Sequence, residues 1–516
     1  MKWQDLLRPL QMQPDEQTQV VIQTETIPIV FVPGIMGSRL KRNEGGKDRW
    51  VWDPDREKGM LWRYGLFVTA GGKQKDVLGD QLDGSDLLVD ETDADYAEDH
   101  AKEVKDAVGD APDLIEHGWP GVSWSFYGYV LRRLYQCEKL KSWRDPIPRF
   151  FKLPAYAVGY NWTASNLDSG ELLKNRIDEI IKKHRDKGET CEQVILVTHS
   201  MGGLVSRSAC MLHGALPRVL GVIHGVQPVT GAPVAFWRMK AGFERTGGLK
   251  GVLAAWTLGD NQKEVTALLG NIAGGLQLLP NRDYGPDGNS PSTGRWLEVH
   301  GLDGNLEQAL PSQDPYEEIY EKRSGLLKLV TDRYLQPGAS ASKIDAMWAK
   351  YLNNLSKARD FHDVLALQQH DETHVFYGTG TQHPTADRVR VFKKPWEPRR
   401  TSDEFGESYE EPPPADGEEE CTGGDYRVFT RDGDRIIALE LQNANGAGDG
   451  TVPESSGAAL KPKGESYGAN VPARAHGFPG VEHAEAYSIQ AGTFFFVFEA
   501  IHKLCRLKIR RAWAGP

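Results

Sequence analysis

Val194-Ile195-Leu196-Val197 runs directly into Thr198-His199-Ser200-Met201-Gly202-Gly203, and a helical apolar pattern follows over 204–213. A short unbroken apolar run reads as a strand buried on both faces, the kind found in a parallel sheet covered by helices. A strand that breaks into a helix within three residues needs a very tight turn. Large side chains two positions before or after the serine would collide with neighbouring backbone. Such a turn holds the Ser200 hydroxyl out at the carboxyl end of the sheet, above the partly positive start of the next helix. The pentapeptide alone is a weak signal, because serine also caps helices. The strand before it and the helix after it make the signal specific.

The rest of the chain fits the sheet this turn requires. Apolar runs at 27–32, 155–160, 219–226, 375–377 and 436–441 read as further strands. Leu173, Ile177, Ile180 and Ile181 recur at helical spacing over 171–187, and Gly188 stands where a glycine ends a helix. The expected architecture is α/β, a mostly parallel sheet with helices on both faces. Three stretches break the rhythm. The acidic 78–99 reads as a solvated loop rather than a metal site. Residues 233–299 mix Trp237, Phe243, Trp256, Leu258, Leu268 and Leu269 with many glycines, as a cap or lid does, and Gly247, Gly248 and Gly251 are candidate hinges. The Pro-, Glu- and Asp-rich 394–424 reads as a disordered surface insertion. The division expected is core over 20–232, cap or lid over 233–299, core with a helical insertion over 300–393, the acidic insertion over 394–424, and core again over 425–512.

A net charge of −11 argues against nucleic acid as a partner, since phosphate binding needs a concentrated basic surface. It leaves contact with a membrane surface open. The five cysteines are scattered and form no metal-ligand spacing, so neither a metal nor a disulfide framework is expected, and no cofactor motif stands out. Residues 1–19 lack the apolar core of a signal peptide, and no apolar run is long enough to span a bilayer. Synthesis in the cytoplasm is expected, with any export by a route that needs no signal peptide.

A nucleophilic serine needs a base and an acid that orients it, in the chain order Ser, Asp or Glu, His for an α/β-hydrolase fold. Asp449, in Gly448-Asp449-Gly450-Thr451-Val452-Pro453 after a predicted strand, is the candidate acid, although Asp-Gly is also ordinary turn chemistry. Two histidines compete as base. His483 lies in Gly480-Val481-Glu482-His483 and His476 seven residues earlier in the same Gly/Pro-rich loop, and spacing does not separate them. An oxyanion hole needs two backbone amides. Met201 follows the nucleophile, and Ile35 lies in Val32-Pro33-Gly34-Ile35-Met36-Gly37-Ser38 after the first predicted strand.

The 32–38 run resembles the lecithin:cholesterol acyltransferase-like and phospholipid:diacylglycerol acyltransferase-like lipases. So do Trp52-Asp53-Pro54, Gly159-Tyr160-Asn161-Trp162, His199-Ser200-Met201-Gly202-Gly203, the 375–384 stretch, the 448–453 turn and the 480–483 segment, in the order that family has them. The resemblance implies Ser200, Asp449 and His483 as triad, which selects His483 over His476, and Ile35 and Met201 as oxyanion donors. Asn161 and Thr198 depart from the family's usual Asp and Gly or Ala. A chain of this kind without a signal peptide is also similar to lipase effectors delivered by type VI secretion. That analogy implies an adaptor or spike and an immunity protein as partners. The expected activity is hydrolysis of membrane-lipid acyl esters. An acyltransferase or a soluble carboxylesterase is the alternative within the fold, and a non-catalytic binding module the alternative outside it. At the C-terminus, Phe494 to Phe498 with Ile501 and Leu504 reads as a last core helix, with lipid contact through the basic end as the competing reading.

Overall fold

The structure is a computed structural model. It describes residues 24–514 except 65–67, 138–149, 244–258, 260, 287–293, 326, 396–399, 404–405, 410–418, 423–424, 433–434, 443 and 461–473. Residues 1–19, Trp256, Leu258, Gly247, Gly248 and Gly251 therefore lie outside the described residues.

The Val194–His199 strand is buried along its whole length. It sits inside a six-stranded sheet ordered Ala475–Pro479, Thr373–Thr379, Val219–Gly225, Val194–His199, Ile29–Val32 and Ala155–Ala157. Every neighbouring pair is parallel. Alternation along these strands separates two cores, because successive side chains point to opposite faces. Val30, Val32, Val194 and Leu196 belong to one apolar cluster, and Ile29, Phe31, Ile195 and Val197 to the other. The helices Asn166–Asp186 and Gly202–Leu212 cover the first face, while Trp124–Gln136 and Phe494–Ala514 cover the second.

Helix ends are set locally. In the helix Asn166–Asp186 the Ser165 side chain accepts from the Leu167 amide, a cap worth about 1 kcal/mol. At its other end Gly188 adopts φ +78°, its amide donates to Arg185 and that of Glu189 to His184. This is the paired closure expected of a C-terminal glycine. The terminal helix buries Phe494, Val497, Ile501 and Leu504, as a last core helix does. Among the described residues no helix is long and apolar enough to cross a membrane.

Four local readings need correction. The strand at 436–441 is Arg435–Leu441 and lies in a second six-stranded sheet with Leu306–Leu310, Leu297–His300, Val389–Pro395, Asp425–Asp432 and Glu419–Thr422, so residues 425–441 are not part of the parallel core sheet. A short apolar run does not show by composition which sheet it joins. Within 394–424, described residues pair rather than stay disordered: Arg400–Asp403 forms a hairpin with Gly406–Tyr409, and Glu419–Thr422 pairs with Asp425–Asp432, satisfying the backbone donors and acceptors. The acidic 78–99 is not simply a solvated loop. It holds a strand and the start of the helix Ala94–Val108, and Asp86 and Asp93 bond Arg42 and Arg39. Finally, the loop holding His476 contains the edge strand Ala475–Pro479.

The 233–299 segment follows Val219–Gly225 of the parallel sheet and runs into Leu297–His300 of the second sheet. Its helices Pro233–Ala241 and Gln262–Leu269 bury Phe236, Met239, Val265 and Leu268 in the same cluster as the first sheet face.

Candidate active site

Ser200 stands at φ +51°, a left-handed conformation that costs a non-glycine residue about 1–3 kcal/mol. The close approach of the first strand enforces it. A Cβ on Gly202 would lie 2.4 Å from the Pro33 carbonyl oxygen and 2.5 Å from that of Val32, so nothing larger fits. Thr198 is accommodated differently from a glycine. Its hydroxyl lies 2.9 Å from His224 Nδ1, and burial lowers the pKa of His224 to about 3, keeping the ring neutral. The turn is thus held open for the Ser200 side chain.

Asp449 reaches the site by a detour. After Thr373–Thr379 the chain leaves through the second sheet, then returns so that the Gly448 amide donates to Gly380 at the strand's end. Asp449 is 1% exposed, and its Oδ1 accepts from the amides of Thr451 at 2.9 Å and Val452 at 2.6 Å. The other oxygen, Oδ2, lies 2.9 Å from His483 Nδ1, and His483 Nε2 lies 2.9 Å from Ser200 Oγ. A carboxylate only accepts, so Nδ1 carries the proton and Nε2 is free to take one from the serine. The His483 amide also donates to the Asp449 carbonyl, tying the two backbones together. His476 is on the edge strand with its ring 4.5 Å from Phe478 and takes no part in this line.

The loop after Ile29–Val32 closes on the serine. A Cβ on Gly34 would fall 2.9 Å from His199 Nδ1 and 3.0 Å from Ser200 Cβ. The Gly37 amide donates to Gly34, Met36 takes φ +64°, and Trp52 Nε1 donates to the Met36 carbonyl at 2.8 Å. Neither the Ile35 nor the Met201 amide donates to another described residue, so both are free for an oxyanion.

Sequence reasoning missed one connection. The Gly34 amide donates to the Tyr127 hydroxyl at 3.1 Å, and that hydroxyl lies 3.0 Å from His199 Nδ1. His199 Nε2 lies 2.9 Å from the His483 carbonyl. The carbonyl can only accept, so Nε2 of His199 donates, Nδ1 accepts, and the tyrosine proton points to Nδ1. One line of hydrogen bonds, buried except at its His483 end, therefore joins the Ile35 loop to the backbone of His483. The only available sign was the aromatic content of the helix Trp124–Gln136, whose Tyr127 is 72 positions from His199, and it could not specify the pairing.

These groups open into a cavity of about 620 Å³. Met36, Phe126, Trp237, Met239, Phe243, Leu269 and Leu278 form its apolar wall, with Gln382, His383, Glu482 and Glu485 among its polar groups. Among the described residues no group of three or more His, Cys, Asp or Glu is placed to hold a metal ion, and Cys137, Cys191, Cys210 and Cys505 are unbridged and buried.

The architecture is that of the α/β hydrolases, with serine, aspartate and histidine in that fold's chain order. Residues 153–272 match the PGAP1-like alpha/beta domain, a stretch that contains Ser200 and Met201 but not Asp449 or His483. A putative GPI inositol-deacylase C of Yarrowia lipolytica (strain CLIB 122 / E 150) is 39% identical over 70 residues, which span 12% of this chain and 8% of that protein. A chain of the Tle4-Tli4 complex superposes with a TM-score of 0.70 at 24% identity, covering 94% of this chain and 99% of that one, and so shares the fold over nearly its whole length.

Proposed function

We propose that this chain is a serine lipase or phospholipase that hydrolyses acyl esters of membrane lipids through an acyl-serine intermediate. The observation that carries this reading is the hydrogen-bonded line Ser200, His483, Asp449 at a cavity walled by apolar side chains. In the proposed mechanism His483 Nε2 takes the Ser200 proton as Oγ attacks the ester carbonyl. The Ile35 and Met201 amides hold the oxyanion, and Asp449 stabilises the imidazolium. His483 then protonates the departing alkoxide. Water, deprotonated by the same histidine, releases the acyl group as a carboxylic acid. The 233–299 insertion is assigned as the cap that supplies Trp237, Met239 and Phe243 to the acyl side of the cavity. The full-length likeness to a chain solved with a protein partner fits an exported antibacterial effector with a cognate immunity protein.

The test compares fatty-acid release from mixed phospholipid vesicles with turnover of a short soluble ester. Release from vesicles that exceeds the soluble turnover supports the lipase reading. Turnover of the soluble ester alone would replace it with a carboxylesterase.

Tyr127 is assigned as a positioning residue. Tyr127→Phe removes the hydroxyl that the buried Gly34 amide and His199 Nδ1 share, and an unmet buried donor costs about 1–3 kcal/mol. The expected result is kcat lower by about tenfold with KM changed less than about twofold, because the ring that lines the cavity stays and only its hydroxyl is lost. A variant with unchanged kcat and lowered stability would reduce the tyrosine to a structural role.

A further inference from the structure

Most of the large apolar side chains that the described residues expose are scattered. The two most exposed, Phe495 at 71% and Ile489 at 67%, line a single groove of about 330 Å³. Its walls are Tyr129 and Arg133 from the helix Trp124–Gln136, Ile489 from the segment after His483, and Phe495 and Phe498 from the first turns of the terminal helix.

Both walls continue from elements of the candidate active site. The helix that turns Tyr129 and Arg133 to the groove puts Phe126 in the main cavity and Tyr127 against His199. The segment that leaves His483 contributes Glu485 to the main cavity before Ile489 emerges. That segment is held at both ends: the Tyr487 hydroxyl donates to the Thr198 carbonyl, and the Thr493 hydroxyl donates to the Ala486 carbonyl. Ile489 is thus presented on a pinned loop. Phe495 projects from a helix whose neighbouring Phe494 and Val497 are buried, so packing of the fold does not account for it.

The charge on the groove narrows what it meets. Arg133 stacks over Phe494 at 5.0 Å, bonds Gln136 through Nη1, and has no carboxylate partner among the described residues. An uncompensated guanidinium beside two protruding apolar side chains, on a protein of net charge −11, matches phosphate lying above acyl chains.

We propose that this groove is the surface by which the protein docks on a phospholipid bilayer, with Ile489 and Phe495 inserted at the level of the acyl chains and Arg133 on lipid phosphate. The groove is built on the same helix and post-His483 segment that line the Ser200 cavity. The proposal rests on the lipase reading and names the face through which it acts.

The test separates docking from chemistry by using Ser200→Ala protein, which binds without turning over. Flotation with vesicles of phosphatidylcholine and phosphatidylglycerol is compared between Ser200→Ala and the same protein carrying Ile489→Asp and Phe495→Asp. Bilayer binding is expected to fall at least about tenfold, since each large apolar side chain withdrawn from lipid forfeits its transfer free energy. On otherwise native protein, the Ile489→Asp and Phe495→Asp pair should lower vesicle hydrolysis by a similar factor and leave soluble-ester turnover within about twofold. Arg133→Gln should weaken flotation without altering soluble turnover. Equal flotation of the two proteins, or none by either, overturns the groove as a lipid surface, and equal flotation would redirect it to a protein partner. Failure of the lipase reading is separately visible as native protein that floats yet releases no fatty acid.

Discussion

Ser200→Ala should lower ester turnover by about 10⁵-fold, with the folded state within about 1 kcal/mol of native. The activity loss is large because the proposed acyl-enzyme needs the oxygen itself. His483 has no other hydroxyl in its line, and a water in place of Oγ would lack the fixed approach the turn supplies. Stability should change little for a specific reason. Alanine keeps the Cβ and therefore keeps the strain at φ +51°. The only hydrogen bond lost is the one to His483 Nε2, which faces the cavity. His483→Ala should fall within about tenfold of the serine variant, because residues that act as one unit are not additive. His476→Ala should keep near-native turnover, since its ring packs against Phe478 on the edge strand. Single-turnover release of the alcohol product, followed beside thermal unfolding, reads both expectations. Substantial turnover by the serine variant would refute the nucleophile assignment, and a silent His476→Ala beside an active His483→Ala would exchange the bases.

The second large effect concerns stability. Arg39 follows the Ile35 loop directly and is 0% exposed. Its Nε and Nη2 lie 3.0 and 2.9 Å from Asp53 Oδ2, Nη2 is 2.8 Å from Asp93, Nη1 donates to the Pro120 carbonyl at 2.8 Å, and the guanidinium lies 3.6 Å from the Tyr96 ring centroid. Asp53, at 1% exposure, keeps only the Asp55 amide and the half-exposed Arg56 when Arg39 is removed. Arg39→Met should therefore cost about 3–5 kcal/mol, most of it the penalty of a stranded buried carboxylate. Arg39→Lys should recover only part, because a point charge cannot serve two carboxylates and a carbonyl as a fork does. Denaturant midpoints at unchanged slope measure both.

The same network carries a pH dependence. Burial alone would raise the Asp93 pKa, but the hydrogen bond from Arg39 and the Tyr96 amide outweigh it, and the net shift is downward. A depressed folded-state pKa contributes stability above the unfolded value of about 4, and that stability is lost as pH falls through the lower folded value. The native protein should therefore lose more stability on acidification below about pH 4 than Arg39→Met does. Parallel acid limbs for the two proteins would show that the pair is not thermodynamically coupled.

The elbow was legible because every part of it is contiguous. The apolar strand, the compact Thr198, Gly202 and Gly203 and the following helix are neighbours along the chain, and local sterics alone demand that order. The Asn166–Asp186 helix with its closing glycine was legible for the same reason, as was the inward stripe of the terminal helix. The strand before Asp449 was misread because Arg435–Leu441 is nearest in sequence, whereas Thr373–Thr379 is the strand that Gly448 joins in space. Acidic and Pro-rich composition likewise misled at 78–99 and 394–424, since it does not reveal cross-chain partners such as Arg39 and Arg42 or the pairing of polar strands.

By itself, then, the sequence determined the parallel sheet, the serine at its carboxyl end and the set of candidate partners, since these follow from side-chain period and short-range sterics. Spacing left open which histidine faces Ser200 and only the resemblance favoured His483; the tertiary structure puts His483 Nε2 beside the serine. His476 and His483 are chemically equal and seven residues apart, and the parallel register Phe376 to His476 fixes one on the edge strand while the chain beyond it carries the other to Asp449. Tertiary structure alone also brought Tyr127 to His199 and Arg39 to Asp93. Hydrogen bonds and ion pairs of this kind act over a few ångströms, and no pattern along the chain records which distant residues folding will place that close.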